Sequence, residues 1–291
     1  MKVAVLGSNG QLGMCLQDKL VDKSIETLFF SRRELDISDF GKLKKELMNF
    51  SPDVVINGAA YTAVDDAENN KKLANLINNL SVLNIAKVCF DLDCWLFHVS
   101  TDYIFDGSKK DPYTEESLAN PQSVYGQTKL KGELAIQASK CKYIILRTSW
   151  VFSEYDNNFL TTMIKLGSSK DSLDIINDQI GCPTYAQDLA SAFRSILGRV
   201  EDKNLNSGIF NFCGEPQCSW YDFALIIFQE ARFFGIDTPK TINPVKTSDY
   251  YQAAKRPAYS ILDCSKIMNV LEIDPSNWRD GVNAAIKHIA K

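Results

Sequence analysis

The stretch KVAVLGSNGQLGMCLQDKL (2–20) decides the fold. Its first five residues, mostly β-branched or apolar, read as a buried strand, and residues 11–20 place apolar side chains at helical spacing. Between them, Gly7, Gly10 and Gly13 form a G-x-x-G-x-x-G turn. Glycines at such a turn permit a tight bend, let backbone N–H groups approach a pyrophosphate, and let the helix lie close to the sheet. The helix N-terminus adds a partial positive charge. The spacing is one residue longer than the dinucleotide fingerprint G-x-G-x-x-G, and a lone glycine triplet fits an ordinary turn equally well. Its position directly between a strand and a helix is what points to a dinucleotide cofactor.

The alternation continues outward. ETLFF (26–30), DVVIN (53–57), CWLFHVS (94–100) and KYIILRT (142–148) read as strands, and 39–49, 66–90 and 123–140 as helices. Continuous apolar strands, each followed by a helix, specify a parallel sheet covered on both faces. The expected fold is α/β, a Rossmann-type doubly wound parallel sheet. After Trp150 the rhythm loosens. Residues 183–197 and 220–235 read as helices, and the tail from 236, with Pro239, Pro244, Pro257 and Pro275, has few long periodic segments. This predicts a dinucleotide-binding domain over 1–148 and about 183–213. A smaller C-terminal substrate-binding cap is expected over about 149–182 and 214–291.

At 291 residues, 45% hydrophobic and 23% charged, the composition is that of a globular enzyme rather than a disordered chain. A net charge of −4 without basic clusters argues against nucleic acid, so a bound anion has to be held by local devices. Eight cysteines without a CxxC pair, and two histidines (His98 and His288), do not supply a zinc site. The apolar run at the N-terminus is too short for a signal segment or a membrane span. Reduced cysteines in a cytoplasmic protein without membrane association are the expectation.

The second strand ends in Phe30, Ser31, Arg32, Arg33, without the acidic residue that grips the ribose 2′-hydroxyl of NAD. Arg32 can instead accommodate a 2′-phosphate, which favours NADPH and leaves NADH open; solvated arginines are the bland reading. Asp36 and Ile37 follow where they can frame the adenine. Tyr125 and Lys129 stand four residues apart on an expected helix, one turn apart on one face. An ammonium beside a phenol favours the phenolate and lowers its pKa, so Tyr125 can act as a proton donor. Ser100 and Thr101 end the fourth strand, where a hydroxyl can orient a carbonyl oxygen. A single Tyr-x-x-x-Lys pair is usually two surface residues, but the ordered set of glycine turn, hydroxyl and Tyr-Lys pair is far more specific.

In this order the motifs resemble the extended short-chain dehydrogenase/reductase family, and within it the dTDP-4-dehydrorhamnose reductases. The resemblance rests on GSNGQLG (7–13), NGAAYTAVDDAE (57–68), VSTDYIFDG (99–107), VYGQTKLKGE (124–133), LRTSWVF (146–152), NNF (157–159), NDQIGCPTY (177–185) and RPAYSILD (256–263). It implies an oxidoreductase that uses NADPH to reduce the C4 keto group of dTDP-4-dehydro-β-L-rhamnose, a step toward cell-surface polysaccharide. It also implies that Gly10, Gln11 and Leu12 meet the pyrophosphate, Asp36 and Ile37 the adenosine, and Ala60, Tyr61 and Thr62 the region beyond the third strand. Thr101, Tyr125 and Lys129 would be the catalytic set, with Lys129 also bonding the nicotinamide ribose.

Val64, Thr101, Asp102 and Trp150 would line the sugar site, and Arg256 would contact the diphosphate. Trp150 is readable as core, but a Trp just beyond the fifth strand, where sheet domain meets cap, is well placed to shape the sugar pocket; Arg256 is equally readable as a structural loop residue before Pro257. Gly58 and Cys182 depart from the usual residues of their blocks but remain small. Magnesium-linked dimers occur among such proteins; no carboxylate cluster for the ion is evident here, and a homodimer stays open. A dehydratase of the same extended family would carry an Asp-Glu pair after the threonine, whereas Thr101 is followed by Asp102 and Tyr103. A reductase of another 4-keto-6-deoxysugar nucleotide stays open, as does a regulatory subunit like that of methionine adenosyltransferase.

Overall fold

The computed structural model describes residues 1–201 and 205–291. Residues 202–204, within the stretch 183–213 expected to return to the sheet domain, lie outside the described residues. Five strands of the first half form as the apolar runs predict: β1 (Lys2–Leu6), β2 (Glu26–Phe30), β3 (Val54–Asn57), β4 (Trp95–Thr101) and β5 (Lys142–Thr148). Next come β6 (Val151–Phe152), β7 (Ser172–Ile176), β8 (Ile180–Gly181), β9 (Thr184–Tyr185), β10 (Gly208–Asn211), β11 (Cys218–Ser219) and β12 (Thr241–Val245).

The main sheet has the order β10-β5-β4-β3-β1-β2, with every neighbouring pair parallel. Chain order reverses beside β1, which puts a crevice at the carboxyl ends of β1 and β3, where doubly wound sheets bind their ligands. The register sets Asn57 beside His98 and Thr101 beside Thr148.

One face of the sheet is covered by α1 (Gln11–Lys19) and α8 (Ala186–Leu197), whose Cys15, Leu16, Leu189 and Phe193 join Val3, Val5, Phe97 and Leu146 in one core cluster. The other face is covered by α2 (Phe40–Phe50), α5 (Val82–Asp91) and α6 (Val124–Ser139), through Leu43, Leu47, Ile85, Cys89 and Ile136. The eight cysteines are buried and free. A third cluster joins α7 (Phe159–Gly167), α9 (Trp220–Phe233) and β7 around Phe223, Phe228 and Trp278. Ile261, Leu262 and Cys264, with Ile267 and Leu271 of α10 (Ser265–Leu271), pack in the sheet's own cluster.

Three local readings change. The single helix expected over 66–90 is divided into α3 (Val64–Ala67), α4 (Lys71–Asn75), a π-helical turn (Leu76–Ser81) and α5. Residues 183–185 are extended, because Thr184 and Tyr185 pair with β6 before α8 begins. The tail holds a full helix, α11 (Trp278–Ile289), which buries Trp278, Val282, Ala285 and Ile286. Small Ala and Gly side chains thin its apolar stripe, so periodicity alone missed it. The continuous helical stretch Lys71–Asp91 is long and apolar enough to cross a membrane; half of its most apolar 18 residues are buried inside the protein, as in a core helix.

Candidate active site

Gly7 leaves β1 at φ +83°, and a Cβ there would stand 2.8 Å from the Ala59 amide nitrogen. A Cβ on Gly13 would lie 2.3 Å from the Gly7 carbonyl oxygen, so both positions exclude a side chain. Gly10 is the N-cap of α1 and offers no capping side chain, which leaves first-turn N–H groups to an outside acceptor. Gln11 accepts a hydrogen bond from Ser153 (3.0 Å), tying this turn to the segment after β6. At the far end of the crevice Arg32 is mostly exposed, with Nε 3.3 Å from Asp36. Hydrogen bonds from the Ser38 hydroxyl and amide hold the Asp36 carboxyl below the usual range. Glycine cradle, uncapped helix and rim arginine together fit a dinucleotide with a 2′-phosphate.

On the opposite wall, α6 begins at Ser123, whose hydroxyl accepts from the Gly126 amide, while Glu68 accepts from the Val124 amide. Gly126 and Gly132 allow α6 to press against backbone: added Cβ atoms would fall 2.1 Å from the Tyr103 oxygen and 2.3 Å from the Asn78 oxygen. This close approach brings Tyr125 and Lys129 into the crevice beside Thr101. Tyr125 stacks edge-on against Tyr103 at 5.5 Å. Lys129 Nζ donates to the Val99 carbonyl at 2.6 Å.

The electrostatics differ from the sequence expectation. Burial pushes the Tyr125 phenol up to about 12, against a hydrogen bond with Thr101 that pulls it down. Burial also presses Lys129 down to about 8, opposed by Glu133. Desolvation, and not the lysine charge, therefore sets the direction of the Tyr125 shift. Asp102 is fully buried and raised to about 6, again by burial, with Ser260 and Thr101 opposing. Its Oδ1 accepts a hydrogen bond from Thr101 at 3.0 Å.

Several residues that build this wall were not singled out from the sequence. Asn78, on the π-helical turn, accepts from the Tyr61 amide (2.8 Å) and donates to the Tyr61 carbonyl and to Thr128. It thereby fixes the Tyr61 loop to α6. Asn57 and His98 meet at 3.1 Å beneath the crevice. Glu133 receives Ser100 and the guanidinium of Arg147, joining α6 to β4 and β5. The available signal was a polar side chain inside an otherwise apolar run, as at Asn57, Asn78 and His98.

Trp150 lines the crevice where the sheet meets the third core cluster. It takes φ +47°, a conformation rare for a bulky residue, and stacks on Trp220 at 3.5 Å. Gly181 leaves room for its indole, since a Cβ there would lie 2.5 Å from the Trp150 ring. Trp150 thus both lines the cavity and caps the third core cluster.

The crevice is a cavity of about 510 Å³. Gly7, Gly10, Gln11, Leu12, Arg32, Asp36 and Ile37 line it, as do Ala60, Tyr61, Thr62, Val64, Thr101, Asp102, Tyr125, Lys129 and Trp150. Gly13 is not a lining residue and acts through packing. Arg256 is not one either: its guanidinium is held by Asp65 at 2.6 and 3.2 Å. Across its whole length, residues 1–291, the chain matches the family model described as RmlD substrate binding domain.

The chain belongs to the dTDP-4-dehydrorhamnose reductase family. It is 41% identical over 281 residues to the dTDP-4-dehydrorhamnose reductase of Aggregatibacter actinomycetemcomitans, covering 96% of each chain. The crystal structure of the Clostridium acetobutylicum reductase superimposes with a TM-score of 0.92, 38% identity and full coverage of both chains. That of the Bacillus anthracis reductase, in complex with NADP, gives 0.92 at 32% identity, covering 99% of each. The UDP-glucose 4-epimerase of Thermus thermophilus, at 18% identity and a TM-score of 0.84, shares the fold.

Within the reductase family's later blocks, much of NDQIGCPTY is structural in this chain. Gln179 donates to Thr247 and Gln252, Gly181 seats Trp150, and Tyr185 hydrogen-bonds Glu154. Asn158 of NNF caps α7 through a reciprocal bond with Thr161.

Proposed function

We propose that the protein reduces the C4 keto group of dTDP-4-dehydro-β-L-rhamnose with NADPH, giving dTDP-L-rhamnose. The observation that carries this reading is the meeting of Thr101, Tyr125 and Lys129 in the crevice that also contains the glycine turn and Arg32. Bound NADPH supplies the hydride. Gly10, Gln11 and Leu12 hold its pyrophosphate, and Arg32 meets its 2′-phosphate; Asp36 and Ile37 frame the adenosine. Ala60, Tyr61 and Thr62 form the wall next to the nicotinamide half.

Thr101, whose one hydroxyl proton is directed to Asp102 Oδ1, turns it to the C4 carbonyl oxygen and orients that oxygen. The Tyr125 hydroxyl gives its proton to that oxygen as the alcohol forms, and Lys129 re-supplies the proton. A phenol raised to about 12 is in its protonated form at neutral pH, the form that carries the proton to be transferred. Val64, Asp102 and Trp150 enclose the sugar. Because Arg256 is engaged by Asp65, its proposed contact to the diphosphate requires it to share that partner.

The division into two domains is proposed along the expected boundaries with one change. Residues 1–148 and about 183–213 form the dinucleotide-binding part; about 149–182 and 214–291 form the cap, except 261–271, which pack with the sheet. The deciding assay follows nicotinamide absorbance when dTDP-4-keto-L-rhamnose is added to the protein with NADPH, then with NADH. Consumption of NADPH with formation of dTDP-L-rhamnose is expected; no oxidation of either cofactor overturns the assignment.

A further inference from the structure

We propose that His98 is a positioning residue for Lys129: a ring tautomer fixed by Asn57 aims Nε2–H at the lysine nitrogen and makes Lys129 a ready source of a proton. The inference rests on the catalytic reading of Lys129 given above, but its geometric premise does not.

The tautomer follows from a chain of obligatory donors. The Ala59 amide can only donate, so the Asn57 atom 3.1 Å from it is the carbonyl oxygen Oδ1. This leaves the Asn57 amide nitrogen facing His98 Nδ1 at 3.1 Å. An amide nitrogen also can only donate, so Nδ1 accepts and carries no proton. His98 is fully buried, and burial holds its pKa well below the ordinary value, so the ring is neutral and its one proton sits on Nε2. That N–H lies 3.4 Å from Lys129 Nζ. Asn57 and His98 are register partners on adjacent strands, so the arrangement is built into the sheet.

The consequence for Lys129 has a definite sign. An N–H dipole aimed at Nζ repels the ammonium, and donates to the lone pair once the amine is neutral. Meanwhile the Val99 carbonyl holds Nζ in either state, fixing its direction. The other groups around Lys129 are Tyr125 one turn back, Asp102 across the crevice and Glu133 one turn on. Glu133 favours the ammonium but is itself paired with Arg147, which leaves the histidine dipole with a distinct influence.

With two histidines in the chain and His288 exposed, the His98 ring is separable by long-range ¹H–¹⁵N correlation on the full-length labelled protein. The expected pattern is protonated Nε2 with bare Nδ1; an Nδ1–H ring or an imidazolium overturns the proposal, and this measurement needs no variant. In His98→Leu the alkaline limb of the kcat/KM profile should move upward by about half a pH unit or more, because the ammonium is no longer opposed. His98→Gln, which can place an N–H in the same position, should return the limb toward the parent. A uniform loss of rate with an unmoved limb means a structural role only and overturns the proposal. Failure of the catalytic reading is told apart by Tyr125→Phe, whose full activity would leave the His98 tautomer untouched.

Discussion

Arg147 grips Glu133 from both sides, Nε on Oε1 at 3.1 Å and Nη2 on Oε2 at 2.8 Å, with both side chains buried between β5 and α6. Ser100 adds a third donor to the same carboxylate, and the guanidinium donates to the Glu115 carbonyl and lies over the Phe105 ring. The pair therefore locks the helix carrying Tyr125 and Lys129 against β5, and the Ser100 bond ties it to β4, the strand carrying Thr101. Arg147→Met leaves Glu133 charged and unpaired in the interior, and should lower the unfolding free energy by about 3–5 kcal/mol in urea denaturation. The double variant Arg147→Met/Glu133→Leu should recover most of that loss, since two buried charges leave together.

Tyr125→Phe removes the proposed proton while keeping the ring against Tyr103. Turnover should fall about 10²- to 10⁴-fold, with NADPH affinity within about threefold of the parent. Stopped assays with the keto sugar, paired with fluorescence titration of NADPH, separate the two effects.

On the proposed reading, Arg32 sets cofactor choice. Its side chain is 78% exposed and only loosely tied to Asp36, so it is free to turn to a 2′-phosphate. Arg32→Ala should cost about 1.5–3 kcal/mol of NADPH binding, roughly a 10- to 100-fold rise in its KM, and leave NADH nearly unchanged. Equal losses for both cofactors would assign Arg32 to another role.

Asp102 makes stability depend on pH. Its carboxyl, raised by burial to about 6, prefers the protonated form in the folded protein. That contribution is complete below about pH 4, the ordinary carboxylate value, and is lost as pH climbs through about 6. Asp102→Asn should therefore gain stability relative to the parent on going from about pH 4 to about pH 7.5, by up to about 2–3 kcal/mol. Paired denaturation curves at the two pH values check it.

On the proposed reading of Trp150 as a wall of the sugar site, Gly181 acts on substrate binding through it. A methyl at residue 181 has to displace the indole, because its Cβ would stand 2.5 Å from the ring. Gly181→Ala should raise the KM for the sugar nucleotide at least about tenfold and barely alter that for NADPH, in initial-rate measurements varying each substrate in turn.

The sequence by itself determined the sheet, because β1, β3, β4 and β5 are largely buried apolar runs that need no knowledge of their partners, and the alternation of strand and helix placed β2, the half-exposed edge strand, among them. The glycine turn was legible as well, because the φ of +83° at Gly7 and the approach of Gly13 to the Gly7 carbonyl are set within the turn itself. The pairing of Tyr125 with Lys129 was legible because four residues make one helical turn. Only the tertiary structure decided the rest. Asn57, Ala59, His98 and Lys129 come from three separate segments, and their donor order exists only once β3 and β4 lie in register. The direction of the Tyr125 and Lys129 shifts was also decided there, since desolvation depends on everything packed around a group and not on its neighbour one turn away. Arg256 faces Asp65 across 191 residues, a pairing no local pattern encodes.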